Sequence, residues 1–135
     1  MAYFLFKTEP SSYSFADLKR ERRAVWDGIS NPLALRNLAT LRKGDSVVIY
    51  HTGDEKQAVG LAIATSDPYP DPKLKDPKRL VVEIEAKQPL PRAVTLTQVK
   101  ADPVLKNNDL ARLPRLSVIP FTETQIQRLL KLAGV

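Results

Sequence analysis

The sequence predicts an α+β fold: a curved, mostly antiparallel sheet or small barrel of about six short strands, with about four short helices at its periphery. Three observations lead there. Apolar and alternating runs are short and recur along the whole chain, as strands do. They do not alternate strictly with long helical patterns, which disfavours a doubly wound parallel sheet. Pro68, Pro70, Pro72 and Pro77 crowd the segment 67–78, which therefore reads as irregular. The chain of 135 residues shows no internal repeat, low-complexity tract or break in composition. Residues 1–135 read as a single domain, long enough to bury a core without metal or disulfide support.

Tyr3 to Phe6 is continuously apolar and aromatic-rich, a buried strand that Pro10 terminates. Ser14, with Asp17 three residues on, resembles a capping box and opens a helix from Phe15 to about Arg23. Ala24 to Trp26 is a brief strand, followed by a sharp turn at Gly28. Asn31 caps the next helix, and Pro32 suits its first position because the missing N–H would be unpaired there anyway. Ala34, Leu38 and Leu41 share one face of that helix, which ends near Lys43-Gly44-Asp45. Ser46 to His51 is a strand, Thr52 to Lys56 a hairpin loop, and Ala58 to Ser66 the returning strand. Leu80 to Lys87 alternates, with Leu80, Val82, Ile84 and Ala86 inward and Glu83, Glu85 and Lys87 outward, as a half-solvated antiparallel strand does. Thr95 with Gln98 starts another helix, and 102–114 is irregular with room for a helical turn. Arg115 to Ile119 is a short strand. Thr122 with Gln125 opens a last helix that uses Ile126, Leu129 and Leu130 and closes near Gly134.

The chain has no cysteine, which removes disulfides, zinc-thiolate sites and thiol nucleophiles from consideration. Its first residues are apolar but interrupted by Lys7 and Glu9, unlike a secretory leader, and no stretch approaches a membrane span. The expectation is a soluble cytoplasmic protein with no membrane partner. Lys and Arg number 21 against 15 Asp and Glu, a net charge of +6. The excess is dispersed over Lys19-Arg20, Arg22-Arg23, Arg42-Lys43, 73–79, and Arg112 with Arg115. It shifts expectation toward acidic partners, nucleic acid first.

The segment Trp26-Asp27-Gly28-Ile29-Ser30-Asn31-Pro32 carries the most information. It sets the only tryptophan beside backbone donors at a helix start. That combination suits a flat polar ring whose face stacks and whose edge is hydrogen-bonded. Taken alone, the segment is satisfied by a core Trp26 and a merely capping Asn31. Lys7-Thr8-Glu9-Pro10, Trp26 to Asn31 and Tyr50-His51 each fall at the end of an expected strand. In a small barrel, strand ends gather at a rim where ligands bind. Convergence there would join stacking faces from Trp26, Tyr50 and His51, hydrogen-bonding groups from Thr8, Ser30 and Asn31, and the Glu9 carboxylate, able to accept from an exocyclic amine. Glu9 paired with a nearby arginine is the competing reading, as is a structural role for the lone His51. No metal-ligand spacing, glycine-rich phosphate loop or nucleophile elbow occurs, so neither metal nor cofactor is expected. The amine, hydroxyl and carboxylate of Lys7, Thr8 and Glu9 would activate a nucleophile only if the strand ended so as to bury them together.

Several short segments occur in a fixed order along nearly the whole chain. They are Phe4-Leu5-Phe6-Lys7-Thr8-Glu9-Pro10, Tyr13-Ser14 with Asp17-Leu18, Val25-Trp26-Asp27-Gly28-Ile29 with Asn31, and Ala34 to Leu38. Then come Lys43-Gly44-Asp45, Tyr50-His51, Val59-Gly60 with Ala62, Tyr69-Pro70-Asp71-Pro72, the stretch 91–96, and Arg115-Leu116-Ser117-Val118 with Pro120. The ordered set resembles the EVE domain of the PUA-like superfamily. The resemblance implies a PUA-like small mixed β-barrel with peripheral helices. It also implies a non-enzymatic module that binds DNA or RNA carrying a modified base, methylated or hydroxymethylated cytosine first, by base flipping into an aromatic-walled pocket. Any effector would be a separate protein. Fold relatives include YTH readers of methylated adenine in RNA and ASCH-type proteins that hydrolyse modified nucleosides. The latter make a small nucleoside hydrolase using Lys7, Thr8 and Glu9 the alternative function.

Carried over residue by residue, the resemblance assigns the pocket to Lys7, Thr8, Glu9, Trp26, Ser30, Asn31, Tyr50, His51, Arg115 and Ser117. Trp26 and Tyr50 would wall the base; Glu9, Asn31 and Ser117 would read its edge; Arg115 would face a phosphate or the base edge. The chain departs from the family pattern at Ser30, where many members carry Arg, and in a shortened proline loop before Leu80.

Overall fold

The computed structural model describes residues 1–135. The first apolar run forms β1 (Tyr3–Thr8), fully buried at Phe4, Leu5 and Phe6. It runs parallel to β3 (Ser46–His51), so that Lys7 lies opposite Tyr50 and Thr8 opposite His51. All other pairings are antiparallel. The strand β3 turns back into β4 (Gln57–Ala64), whose strict alternation of buried and half-buried residues matches a sheet with one face toward the core. The long strand β6 (Leu80–Thr95) pairs with β4 on one side and with β2 (Arg23–Trp26) on the other. Short β5 (Tyr69–Pro70) also pairs with β6, and β7 (Val118–Phe121) lies outside β1. The order along the sheet is β2-β6-β4-β3-β1-β7.

A mixed sheet with peripheral helices is the α+β architecture the sequence predicts, and the sheet is not closed into a barrel. Its edges, β2 and β7, have only four residues each and do not pair with one another. Helix α2 (Pro32–Ala39) packs against both β7 and β6, and Asn37 Nδ2 donates to the Val118 carbonyl at 2.9 Å. A helix side chain thus satisfies an edge carbonyl that closure would have paired with a strand. The strand count rises to seven because Tyr69 and Pro70 pair with Val81 and Leu80 within the proline segment. A two-residue edge pairing tolerates a proline that a central strand would not. The strand β6 also outruns its expected end at Lys87 and continues past Pro89 and Pro91. The β4–β6 register shifts between Ala58 and Gly60, where those prolines lie, as expected for a bulge.

The remaining helices are α1 (Phe15–Glu21), α3 (Leu96–Ala101), α4 (Asp109–Arg112) and α5 (Glu123–Ala133). The expected capping boxes Ser14–Asp17, Thr95–Gln98 and Thr122–Gln125 all form, and Asn31 caps α2 by accepting from Leu33 and Ala34 N–H. The short α4 is the helical turn for which 102–114 left room, and it makes the fifth helix. Helix α2 stops at Ala39 rather than near Lys43, because Asp45 Oδ2 takes the Arg42 N–H at 2.8 Å.

Helix α1 is pinned to the sheet through Phe15. Its ring lies directly over Gly60 of β4, where an added Cβ would collide with it. Gly60→Ala should therefore destabilise the protein by about 1–3 kcal/mol through overpacking. Urea unfolding measures this directly; an unchanged midpoint would contradict the packing described here.

Candidate functional site

The ends of β1 and β2 and the two flanks of α1 converge on one open cavity of about 460 Å³. In β2 the side chains of Arg23 and Val25 face solvent while Trp26 turns inward. The indole is 9% exposed. It packs against Phe6 at a centroid distance of 5.7 Å and 33° between planes, and meets Tyr13 edge-on at 6.0 Å and 75°. Trp26 is at once a member of the core and a lining residue of the cavity. Such contacts hold an aromatic plate rigidly, which reduces the entropy lost when a second ring stacks on it.

Lys7 and Thr8 supply polar groups at the end of β1. Lys7 Nζ donates to the Pro114 carbonyl at 2.9 Å and lies 5.7 Å from the Tyr50 ring centroid, a cation–π contact. Two of its three N–H donors remain for a ligand. Burial holds its ammonium below the usual lysine value. Thr8 Oγ1 donates to the Tyr13 carbonyl at 2.6 Å, tying the segment before α1 to the strand. Across the opening stand Tyr13 and Glu21, joined by a hydrogen bond of 2.7 Å from the phenol to Glu21 Oε1. Arg23, which pairs with Glu85 at 3.6 Å, and Asp27 complete the charged lining.

The structure distributes the other sequence-predicted residues elsewhere. Tyr50 is buried beneath Lys7 rather than facing the opening. His51 is buried and structural in its bonding: Phe15 N–H donates to Nε2 at 3.0 Å, which leaves the ring proton on Nδ1, donated to Glu55 at 2.9 Å. That bond holds the Glu55 carboxyl below its usual range. Glu9 faces the β3–β4 loop, where it accepts from Ser11 and Thr52, and a Cβ on Gly53 would lie 2.6 Å from its Oε2. Asn31 and Arg115 line a second hollow of about 330 Å³, with Leu33, Leu113, Pro114 and Leu116. Lys7 of the first hollow donates to the carbonyl of Pro114, which lines the second, so one hydrogen bond links their walls. Ser30 is exposed in the loop beside Ile29, whose carbonyl Arg79 holds at 3.0 Å. Ser117 contributes its carbonyl, which accepts the Lys7 N–H at 3.0 Å.

Lys7, Thr8 and Glu9 therefore do not act as a unit. Their side chains bond to different partners, Lys7 to the Pro114 carbonyl, Thr8 to the Tyr13 carbonyl and Glu9 to Ser11 and Thr52, and none bonds to another of the three. A hydroxyl activated by an adjacent base makes such a contact; the Thr8 hydroxyl instead donates to the Tyr13 carbonyl. Tyr13, Glu21, Arg23, Val25 and Asp27 belong to the lining and are not among the pocket residues the sequence predicts. Val25 and Asp27 flank Trp26 in the same motif, and that adjacency is the signal that points to them. Tyr13 and Glu21 lie on either side of a helix and become neighbours only when it forms.

The chain matches the family model described as EVE domain over residues 2–132. No curated protein sequence matches it significantly. Among solved structures, it is similar to a Rhodopseudomonas palustris protein at 35% identity and a TM-score of 0.93, covering 99% of this chain and 94% of that one. It is similar to human THYN1 protein, solved in complex with 5-methylcytosine-containing DNA, at 25% identity and a TM-score of 0.91, covering 100% of this chain and 99% of that one. The YTH domain of Zygosaccharomyces rouxii MRB1, solved with N6-methyladenosine RNA, shares the fold at 17% identity and a TM-score of 0.60, covering 98% and 86% of the respective chains.

The depressed lysine gives a pH signature. Its folded value lies below the unfolded 10.5, so the buried charge costs stability at neutral pH, and that cost fades as pH rises through the folded value toward 10.5. The stability of the wild type relative to Lys7→Met should therefore rise across that alkaline window. Urea titrations at stepped pH check this; a difference that stays constant would contradict the burial of the ammonium.

Proposed function

Because the chain belongs to the EVE domain family, we propose that its cavity receives a modified nucleobase, of the methylated or hydroxymethylated cytosine type, presented by DNA or RNA. The observation that carries the reading is one cavity lined by both the Trp26 indole and Lys7, within a fold whose human relative is bound to 5-methylcytosine DNA. A base leaving its own stack requires a few kcal/mol. Stacking on an aromatic side chain returns roughly 1–3 kcal/mol, and hydrogen bonds at the base edge supply the remainder. The net charge of +6 draws the polyanion to the surface without specifying a base. Base flipping delivers the ring to the cavity, and the flanking nucleotides run past Asn31 and Arg115 in the second hollow. The protein acts as a non-enzymatic reader in the cytoplasm, and a separate protein carries out any consequence of binding.

Fluorescence anisotropy at fixed salt tests this with labelled DNA and RNA probes that differ by one modified base. The wild type should bind a modified probe at least about tenfold more tightly than its unmodified twin, about 1.4 kcal/mol. Trp26→Phe should lose most of that preference with the core filled, and Trp26→Ala all of it, leaving salt-sensitive binding to every probe. Preference undiminished in both variants would overturn the reading.

A further inference from the structure

The lining of the cavity contains a carboxylate that the reading above does not use. Glu21 is the last residue of α1, and its Oε1 accepts the Tyr13 phenol at 2.7 Å while Oε2 takes no protein donor. The phenol is itself braced, since its ring meets Trp26 edge-on. Burial first, then the bond to Glu21 and its charge, push the Tyr13 phenol well above its usual value, so it stays a donor throughout the physiological range. The result is a carboxylate held in a set orientation at the rim of the aromatic wall. Asp27, the other carboxylate of the lining, is exposed as Glu21 is, but accepts no side-chain hydrogen bond that would orient it. Glu9, to which the sequence assigned an edge-reading role, faces the β3–β4 loop instead.

An ionised carboxylate only accepts hydrogen bonds. Beside a stacked base it favours an edge that offers an amino N–H and repels one that offers a carbonyl oxygen. We propose that Glu21, oriented by Tyr13, selects an amino-edged base, cytosine-type over thymine- or uracil-type. Tyr13 is a positioning residue in this arrangement, acting through the carboxylate it holds. The inference rests on the reading that the cavity takes a base, and goes further by naming the group that chooses among bases.

The test uses single-stranded oligonucleotides, so that no duplex pairing differs between probes, identical except for one central cytosine, 5-methylcytosine or thymine. The last two share the C5 methyl group and differ at the edge Glu21 would read. Wild-type protein should prefer 5-methylcytosine over thymine by about tenfold. Glu21→Gln should abolish or reverse that ratio, because its amide can donate to a carbonyl. Tyr13→Phe should lower the ratio rather than overall affinity. A Glu21→Gln protein that keeps the full ratio would overturn the assignment. Wild-type discrimination of 5-methylcytosine from cytosine with none from thymine would overturn this inference and leave the modified-base reading standing. Equal binding of all three probes would overturn both.

Discussion

Phe15 joins the interior of the sheet to the cavity. Its N–H, the first of α1, is accepted by the buried His51 at the end of β3, and its ring lies over Gly60 of β4. These two contacts determine where α1 leaves the sheet. Through α1 they determine where Tyr13 and Glu21 stand, one before the helix and one at its end. The second wall of the cavity is therefore a consequence of packing beneath it. A glycine and a histidine with no exposure to the cavity lining set the distance between the aromatic plate of β2 and the phenol opposite. The parallel β1–β3 pair completes the frame by bringing Lys7 over Tyr50 and Thr8 beside His51.

The same economy governs Trp26. A large aromatic side chain contributes most when it is almost wholly removed from water, and a stacking plate must keep one face open. The Trp26 ring meets the first demand by packing against Phe6 and Tyr13, and leaves only a small part of its surface accessible at the cavity. The plate is rigid before anything binds, so little side-chain entropy remains to be lost on binding. Lys7 is arranged in a comparable way. Its stem is half-buried, its charge is destabilised by desolvation, and a backbone carbonyl and a ring hold it in one direction. An anion at that position would relieve part of the desolvation.

Much of the fold was legible because it rests on local chemistry. Three capping boxes and the Asn31 cap are encoded within a few residues of themselves, and they form as expected. Closure of the sheet was not legible, because it depends on whether α2 or a strand satisfies the edge of β7, a matter of tertiary contact. The site divides along the same line. Lys7, Thr8 and Trp26 stand at strand ends, and strand ends are visible in sequence. Glu21 and Tyr13 meet across a helix, and the side chain of Glu9 follows a loop whose glycine admits it. Alternation along β1 and β3 does not separate what faces the cavity from what does not: adjacent Lys7 and Thr8 both line it, and β3 is buried from Val47 to His51. The direction of Tyr50 and His51 is fixed instead by Lys7 above one and Phe15 beside the other.

The single tryptophan makes the central claim directly observable, since all indole emission of the protein arises from the wall of the cavity. The decisive measurement is a Trp26 fluorescence titration at constant salt with two short single strands, identical except that one carries 5-methylcytosine where the other carries cytosine. A base stacked on the indole quenches its emission, so the account predicts saturable quenching by the methylated strand at concentrations where the unmethylated strand has little effect. Superimposable curves, or binding by an independent probe with no change in Trp26 emission, would contradict it.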